Sequence, residues 1–147
     1  VPALPQDSSS LRILHFSDIH LAPWQRRAID FIRSWPDLNP DLIISTGDHI
    51  SHPSSIGILI EALGPLMEKP GFFVFGSNDY YGPKFKNPLR YLLPDRGNRI
   101  HGRGLPTEQL VSGLSKNGWV NLTQQKTIIE VNGVSIELRE RLLDAAA

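Results

Sequence analysis

The chain has 147 residues, in which 15 lysines and arginines balance 15 aspartates and glutamates to a formal net charge of zero. This length is typical of one globular domain, and 40% hydrophobic against 20% charged residues argue against a disordered chain. The neutral balance argues against a protein that holds nucleic acid by bulk electrostatics. No apolar run approaches the roughly 20 residues of a membrane helix, so we expect a cytoplasmic protein without a transmembrane segment. The absence of cysteine excludes disulfides, thiolate metal sites and a cysteine nucleophile.

The first elements predicted along the chain are a strand and an amphipathic helix. Residues 1–10 hold two prolines and three serines, which indicates a lead-in segment before one domain over residues 11–147. Mostly apolar residues at 11–16 predict the strand. The helix is expected to begin near Pro23 and to stop at Pro36, because proline suits the first turn of a helix and breaks its interior. Its apolar positions recur at spacings of three and four and predict a buried face, which consists of Trp24, Ala28, Phe31, Ile32 and Trp35.

Two further strands and a second helix complete the first half of the chain. Residues 41–46 are nearly continuous in apolar side chains, which is typical of a parallel strand covered on both faces. A helix is expected over about residues 54–68, with a ragged end because Gly64 and Pro65 weaken the pattern. Its apolar face consists of Ile56, Leu59, Ile60, Leu63 and Met67. Residues 71–75 predict the third strand, so this half has the order of a parallel βαβαβ unit.

The second half of the chain predicts a short helix and a hairpin. Residues 80–106 show little periodicity and many glycines and prolines. Thr107 is expected to cap a helix that ends at Asn117 and Gly118 and buries Leu110, Val111 and Leu114. The dipeptide Asn-Gly at 132–133 lies between two alternating runs and is a strong hairpin signal. We therefore predict an α/β fold in which a parallel core is followed by an antiparallel hairpin.

Each of the three apolar strands runs directly into a small polar cluster, at residues 17–20, 47–49 and 76–79. Because parallel strands place their carboxyl ends at the same edge of a sheet, the three clusters are expected to converge there. Carboxylate, imidazole and amide oxygen form a mixed ligand set that suits Mn, Fe, Zn or a similar divalent ion. A carboxylate such as Asp48 can bridge two ions, and a two-metal centre can clamp both oxygens of an in-line phosphoryl displacement.

Three segments, namely Asp18-Ile-His20, Gly47-Asp48 and the run from Phe72 to Asp79, resemble the first three motifs of the calcineurin-like metallophosphoesterases. The resemblance extends from about residue 11 to at least residue 79, and the Ser-Asn-Asp-Tyr-Tyr form of the third motif resembles a bacterial branch. It implies a four-layer sandwich with two β-sheets between helices and the hydrolysis of phosphomonoesters or phosphodiesters. It also implies that Asp18 and His20 hold one ion, that Asp48 bridges to a second, and that an asparagine of the third motif holds the second.

The third motif departs from the family pattern, which is Gly-Asn-His followed by an acidic residue. An ungapped match puts Ser77 at the position of the ligand asparagine and Asn78 at that of the catalytic histidine. Either Ser77 replaces the ligand, or Asn78 reaches the metal through a shifted turn; an amide oxygen is the commoner ligand and favours Asn78. The proton for the leaving group must then come from His49, His52, a later residue or water, and His49 is the candidate catalytic residue. His15, inside the first strand, is expected to be a hydrogen-bonded core residue.

The later histidines of the family, including a Gly-His-x-His motif, have no counterpart here, because no histidine follows Gly102. The chain therefore resembles the N-terminal half of an enzyme; a deliberate fragment, a truncated gene product and a proteolysed sample all fit. We expect an incomplete second metal site and little phosphoesterase activity in this chain. We also expect apolar residues such as Ile44, Phe73 and Phe75 to form an open sheet face that meets a partner, a second copy of the chain or solvent. Dimerisation, with a homodimer covering this face, or poor solubility is therefore expected for the chain in isolation.

A basic segment follows the third motif. Residues 84–103 contain six lysines and arginines but only one aspartate, and aromatic residues lie between the basic ones in the sequence. Lys84, Lys86 and Arg90 are candidates to orient a phosphate, and the aromatic residues could stack on a base or pack on a lipid head region. The alternative is a solvated loop. The expected partner is a phosphorylated small molecule, a lipid or a nucleotide.

These observations predict metal-dependent hydrolysis of a phosphate ester by a dinuclear centre. The main alternative is a non-catalytic phosphate- or nucleic-acid-binding module that keeps the fold with an incomplete metal site. A nucleotide-binding α/β domain has little support, because no Gly-x-Gly-x-x-Gly or Gly-Lys-Ser/Thr follows any strand. Stoichiometric metal binding at Asp18, His20 and Asp48 would separate the enzyme lineage from the binding module.

Overall fold

A parallel four-stranded sheet forms the centre of the fold. The computed structural model describes residues 9–82 and 104–140, and the sheet runs in the order β1 (Ile13–Phe16), β2 (Leu42–Ser45), β3 (Gly71–Phe73) and β4 (Val120–Asn121). Each neighbouring pair is parallel. A separate antiparallel hairpin consists of β5 (Lys126–Val131) and β6 (Val134–Arg139). The α/β fold class and the three predicted strands are confirmed, whereas β4 is too short to produce a sequence pattern.

In the described parts of the chain, four helices connect or follow the strands, and three of them are predicted by the sequence. They are α1 (Arg26–Arg33), α2 (Ser55–Leu63), α3 (Ser77–Tyr80) and α4 (Thr107–Lys116). Short 3₁₀ segments, Trp35–Leu38 and Gly64–Glu68, continue α1 and α2, and each has proline in its first positions, where a missing N–H removes no helical hydrogen bond. The ragged end of the second helix is confirmed. Thr107 is the first residue of α4 rather than its cap, which is Pro106.

The helical face of the sheet carries the main core. Phe16, Ile43 and Phe73 project from the strands into a cluster with α1, α2 and α4; its fully buried helical members include Ile32, Leu59, Leu63, Leu110 and Leu114. Phe73 is 1% exposed and Phe75 packs against this cluster, so neither belongs to an open sheet face. The prediction is wrong for them because helices from both halves of the chain cover this side.

The opposite face of the sheet lies under the hairpin. Leu42, Phe72 and Leu122 form a second buried cluster, which is completed by Ile44, Val74, Ile129, Ile136 and Leu138. Ile44 is therefore partly buried within the chain itself, contrary to the prediction that it faces a partner. The predicted homodimer stays a prediction. No helix in the described ranges is both long and apolar enough to cross a bilayer.

The predicted core face of the first helix is only partly correct. Ile29, Ile32 and Trp35 are buried, but Trp24 is 71% and Phe31 65% exposed. Trp24 precedes the helix, and Phe31 lies edge-on to Trp35 at the surface, with ring centroids 5.7 Å apart. Apolar residues of this short helix form more than one overlapping apolar face. Packing against α2 buries the face that is centred on Ile29 and Ile32.

Candidate metal centre

The loops that follow β1 and β2 run side by side beyond the ends of the strands. The amide of Asp18 donates to the carbonyl of Gly47 at 3.1 Å, and the amide of His20 donates to the carbonyl of Asp48 at 2.9 Å. Leu21 and Ile50 then form an isolated parallel bridge. The parallel pairing of β1 and β2 thus continues into the loops that follow them, and it brings the first two polar clusters together at one sheet edge as predicted.

The backbone of this edge is strained at the candidate ligands. Asp18, His20 and Asp48 adopt φ angles of 55°, 45° and 56°. This left-handed region is disfavoured for residues with a Cβ and costs about 1–3 kcal/mol per residue at functional sites. Three of the six non-glycine residues with positive φ in the described ranges lie in this one group. Their conformation points to a function, because a turn alone would be served better by glycine.

The side chains of Asp18, His20 and Asp48 point at one position. One candidate ligand atom from each lies within 4.8 Å of the others. The Nε2 atom of His20 is 3.8 Å from Oδ1 of Asp18 and 3.6 Å from Oδ2 of Asp48, too far for strong hydrogen bonds. Two ligands at about 2.1 Å from a tetrahedral ion lie roughly 3.4 Å apart, so this spacing fits a shared cation. The donor set of two carboxylates and one imidazole suits a divalent metal.

The third polar cluster joins this group through Asn78. Its side-chain Nδ2 donates to Oδ2 of Asp48 at 2.7 Å, and its backbone amide donates to Oδ1 of Asp48 at 3.0 Å. A half-turn of the amide would offer its oxygen to an ion beside Asp48. Ser77 lies exposed at the first position of α3. The structure thus places Asn78, rather than Ser77, against the carboxylate of Asp48.

Two glycines permit the close contact between these loops. A Cβ at Gly76 would occupy the position of the Asp48 carboxylate, and a Cβ at Gly47 would overlap the backbone of Gly76. Gly47 also has a φ of +101°, which favours glycine on its own. Any larger residue at either position would push the second and third loops apart.

The prediction that His49 is the catalytic residue that protonates the leaving group is wrong. Its side chain is fully buried, with Nε2 at 2.7 Å from Oγ of Ser45 and Nδ1 donating to Oδ2 of Asp79 at 2.9 Å. The ring packs edge-on against Phe16 and two other phenylalanines, Phe73 and Phe75. Both ring nitrogens have buried partners, so His49 cannot deliver a proton to a leaving group from this position.

Asp79 is the residue of this site that sequence reasoning missed. Its carboxylate is completely buried and accepts the backbone amides of Asp48, His49 and Gly76 at 2.8, 2.7 and 3.1 Å. Burial acts to raise the pKa of Asp79, but the hydrogen bond and charge of the His49 side chain, together with the backbone amides of Gly76 and His49, hold the pKa below its ordinary value of 3.8. The sequence signal that could have identified Asp79 is its position as the acidic residue that ends the third motif.

The lowered pKa of Asp79 predicts a loss of stability in acid. The folded state favours the carboxylate more than the unfolded chain does, so its contribution is complete above about pH 4 and is lost as the pH falls through the lowered pKa. Thermal unfolding of the parent and of Asp79→Asn, measured with chelator from about pH 7 down to about pH 2, should show a difference in Tm that narrows in acid. A difference that stays constant would contradict this assignment.

The remaining histidines of the described ranges lie outside the ligand group. His15 is exposed, with Nε2 at 2.9 Å from Oγ1 of Thr46, so it is hydrogen-bonded as predicted but does not belong to the core. His52 packs edge-on against Trp24, with ring centroids 5.7 Å apart. The predicted substrate-binding residues Lys84, Lys86 and Arg90 lie outside the described residues.

Comparisons with known proteins agree with this geometry. The family model described as calcineurin-like phosphoesterase matches residues 11–144. A Bos taurus protein named "Transmembrane protein with metallophosphoesterase domain" is 27% identical over 150 residues, covering 97% of this chain and 34% of that protein. A Danio rerio protein of the same name is 34% identical over 85 residues, covering 55% of this chain and 20% of that protein. The chain thus spans about a third of the length of the first relative, and the bacterial branch stays a prediction. With its family motifs assembled at one sheet edge, the chain belongs to the calcineurin-like phosphoesterase family.

Proposed function

We propose that this chain carries the metal-binding part of a hydrolase for phosphate esters. The observation that carries the proposal is the convergence of Asp18, His20 and Asp48, all three in a strained backbone conformation, at the carboxyl edge of the parallel sheet. Membership of a phosphoesterase family supports the same reaction class. Divalent ions, when bound there, supply an activated water and offset charge on the phosphoryl oxygens.

We further propose a division of the ligands between two ions. Asp18 and His20 would hold the first, Asp48 would be shared, and Asn78 would serve the second, with Ser77 as the alternative. The position of the Asp48 carboxylate supports this arrangement, because its Oδ2 lies 3.6 Å from Nε2 of His20 and 2.7 Å from Nδ2 of Asn78. Nitrogen and oxygen donors without sulfur suit Mn, Fe or Zn.

The substrate is proposed to be a phosphorylated small molecule, lipid or nucleotide that the basic residues Lys84, Lys86 and Arg90 help to bind. The described residues Tyr81 and Gly104, which flank this segment in the sequence, pair with each other directly after α3, which carries Asn78. Cations that enter a site from this segment would contribute to substrate binding rather than to metal binding.

Loss of the Lys86 or Arg90 side chain is therefore expected to raise KM for a phosphorylated substrate several-fold, with kcat and bound metal unchanged. The measurement is steady-state kinetics of Lys86→Ala and Arg90→Ala in the longest natural polypeptide that contains this chain. Lys116→Ala, at the exposed end of α4, is the matched control for removal of a cation. An unchanged KM in both variants would contradict substrate binding by these residues and would favour the alternative of a solvated loop.

The proposed function is tested by calorimetric titration with Mn²⁺ and by hydrolysis of a chromogenic phosphodiester, for the parent and for Asp18→Ala. We expect Mn²⁺ to bind the 147-residue chain and Asp18→Ala to remove that binding. Turnover is expected to be low in this chain, because the sequence provides only part of the ligand set of the family. Failure to bind Mn²⁺ would reject the metal site, and metal binding without turnover in the longer polypeptide would favour the phosphate-binding module. Robust turnover by a monomer of this chain would overturn the expectation of an incomplete site.

A further inference from the structure

We propose that Asp79, held by His49, is a positioning residue that fixes the metal ligand Asp48 and thereby sets the metal affinity of the site. The inference rests on the proposed metal site and goes beyond it, because neither residue is placed to touch the ion or the substrate. Both side chains are completely buried, so their charge and hydrogen-bonding capacity serve the interior alone.

Asp79 contacts the loop that follows β2. Oδ2 of Asp79 accepts the amide of Asp48, and Oδ1 accepts the amide of the next residue, His49. Asp48 is also the residue with a φ of 56°. A left-handed backbone persists only where its surroundings fix it, and two consecutive amides bound to one carboxylate provide such a constraint.

The same carboxylate joins two loops. Oδ2 of Asp79 also accepts the amide of Gly76, a residue at which an added Cβ would meet the carboxylate of Asp48. From the other side, the amide and side chain of Asn78 donate to Asp48. The backbone of Asp48 is thus held by Asp79 while its side chain is held by Asn78, and both residues come from α3.

Asp79 is itself held in place by neighbouring residues. His49 donates from Nδ1 to Asp79, and its Nε2 lies 2.7 Å from Oγ of Ser45 at the end of β2. The hydroxyl of Thr107 at the start of α4 donates to the backbone carbonyl of Asp79 at 2.8 Å. Asp79 is therefore anchored to the sheet through His49 and Ser45 and to α4 through Thr107. Partners of this kind orient metal ligands, and their loss commonly lowers metal affinity by about 10–100-fold.

The experiment compares Mn²⁺ affinity by calorimetry and the visible absorption of bound Co²⁺ in the parent, Asp79→Asn, His49→Gln and His49→Phe. We expect a dissociation constant raised about 10–100-fold in Asp79→Asn and His49→Phe, with a changed Co²⁺ spectrum. His49→Gln should recover most of the affinity, because the glutamine amide can donate to Asp79 and hydrogen-bond to the hydroxyl of Ser45. Leu114→Ala, which removes a fully buried side chain from α4, is the control for loss of stability alone.

The outcomes separate this inference from the proposed function. If the parent binds no metal, the proposed function fails. If the parent binds metal and folded Asp79→Asn binds it equally well with an unchanged Co²⁺ spectrum, the positioning role is overturned. It is equally overturned if Leu114→Ala weakens binding as much at a similar loss of Tm. Should Asp79→Asn fail to fold, the comparison of His49→Gln with His49→Phe decides the question, and equal affinities in these two reject the proposal.

Discussion

Asp48→Ala is expected to weaken Mn²⁺ binding by about 100-fold or more, a larger loss than any other single substitution in the chain produces. Of the three converging ligands, Asp48 has the least exposed side chain, at 16%, and its carboxylate faces both His20 and Asn78. Removing it would take away the group that joins the first and third polar clusters. Asp48→Asn keeps the shape but not the charge and is expected to show most of the same loss.

The measurement is a calorimetric titration of the chelator-treated chain with Mn²⁺. Asp37→Asn, in the exposed segment after α1, also removes one carboxylate charge by the same substitution and serves as the matched control. The control should bind Mn²⁺ like the parent. If Asp48→Asn also binds as tightly as the parent, Asp48 is not shared between two ions and the proposed division of ligands is wrong.

Gly76→Ala is expected to damage both the fold and the metal site, although it adds a single methyl group. The new Cβ would meet the carboxylate and the backbone amide of Asp48, so the second and third loops must separate. Overpacking of this kind costs about 1–3 kcal/mol of the free energy of unfolding. It would also displace the Asp48 carboxylate, so metal binding should fall together with stability.

Gly57→Ala is the matched control for this substitution. Gly57 lies exposed in α2, and a Cβ there would meet nothing within 4 Å. Alanine in a helix interior is favoured over glycine by about 0.5–1 kcal/mol, so the control should be more stable than the parent and should bind metal normally. Urea unfolding and Mn²⁺ titration of the two variants measure both effects. A Gly76→Ala variant with parental stability and affinity would contradict the close packing of the two loops.

The fold was largely predictable because its signals are local. The strands and the hairpin follow from short apolar or alternating runs, and the turn residues Asn132 and Gly133 adopt the positive φ angles of 51° and 76° that a two-residue hairpin turn requires. The exposed positions of Trp24 and Phe31 were not predictable in this way. Periodicity shows that a helix has an apolar face but does not show which of two overlapping faces its neighbours cover.

The convergence of Asp18, His20 and Asp48 was predictable from the sequence, but the roles of His49 and Asp79 were not. The order of strands brings Asp18, His20 and Asp48 to one edge, which the sequence indicates through parallel topology alone. The roles of His49 and Asp79 depend on side-chain direction: Asp48 turns toward His20 while the next residue turns into the core. Neighbouring residues in a strained loop follow no simple alternation, so the sequence pattern could not show that His49 is internal.

The left-handed backbone conformation of Asp18, His20 and Asp48 lowers the stability of the chain, whereas their side chains are needed for the proposed metal site. Glycine residues at positions 18, 20 and 48 would relieve the conformational cost that aspartate and histidine carry there in the metal-free state. A library of variants selected for heat resistance alone, without metal, should therefore accumulate those residues at these positions and lose the site. Selection in the presence of metal should retain the acidic and imidazole side chains, because ligand binding to the native state returns stability through mass action. The residues found at these three positions would therefore indicate whether a variant was selected with or without metal binding.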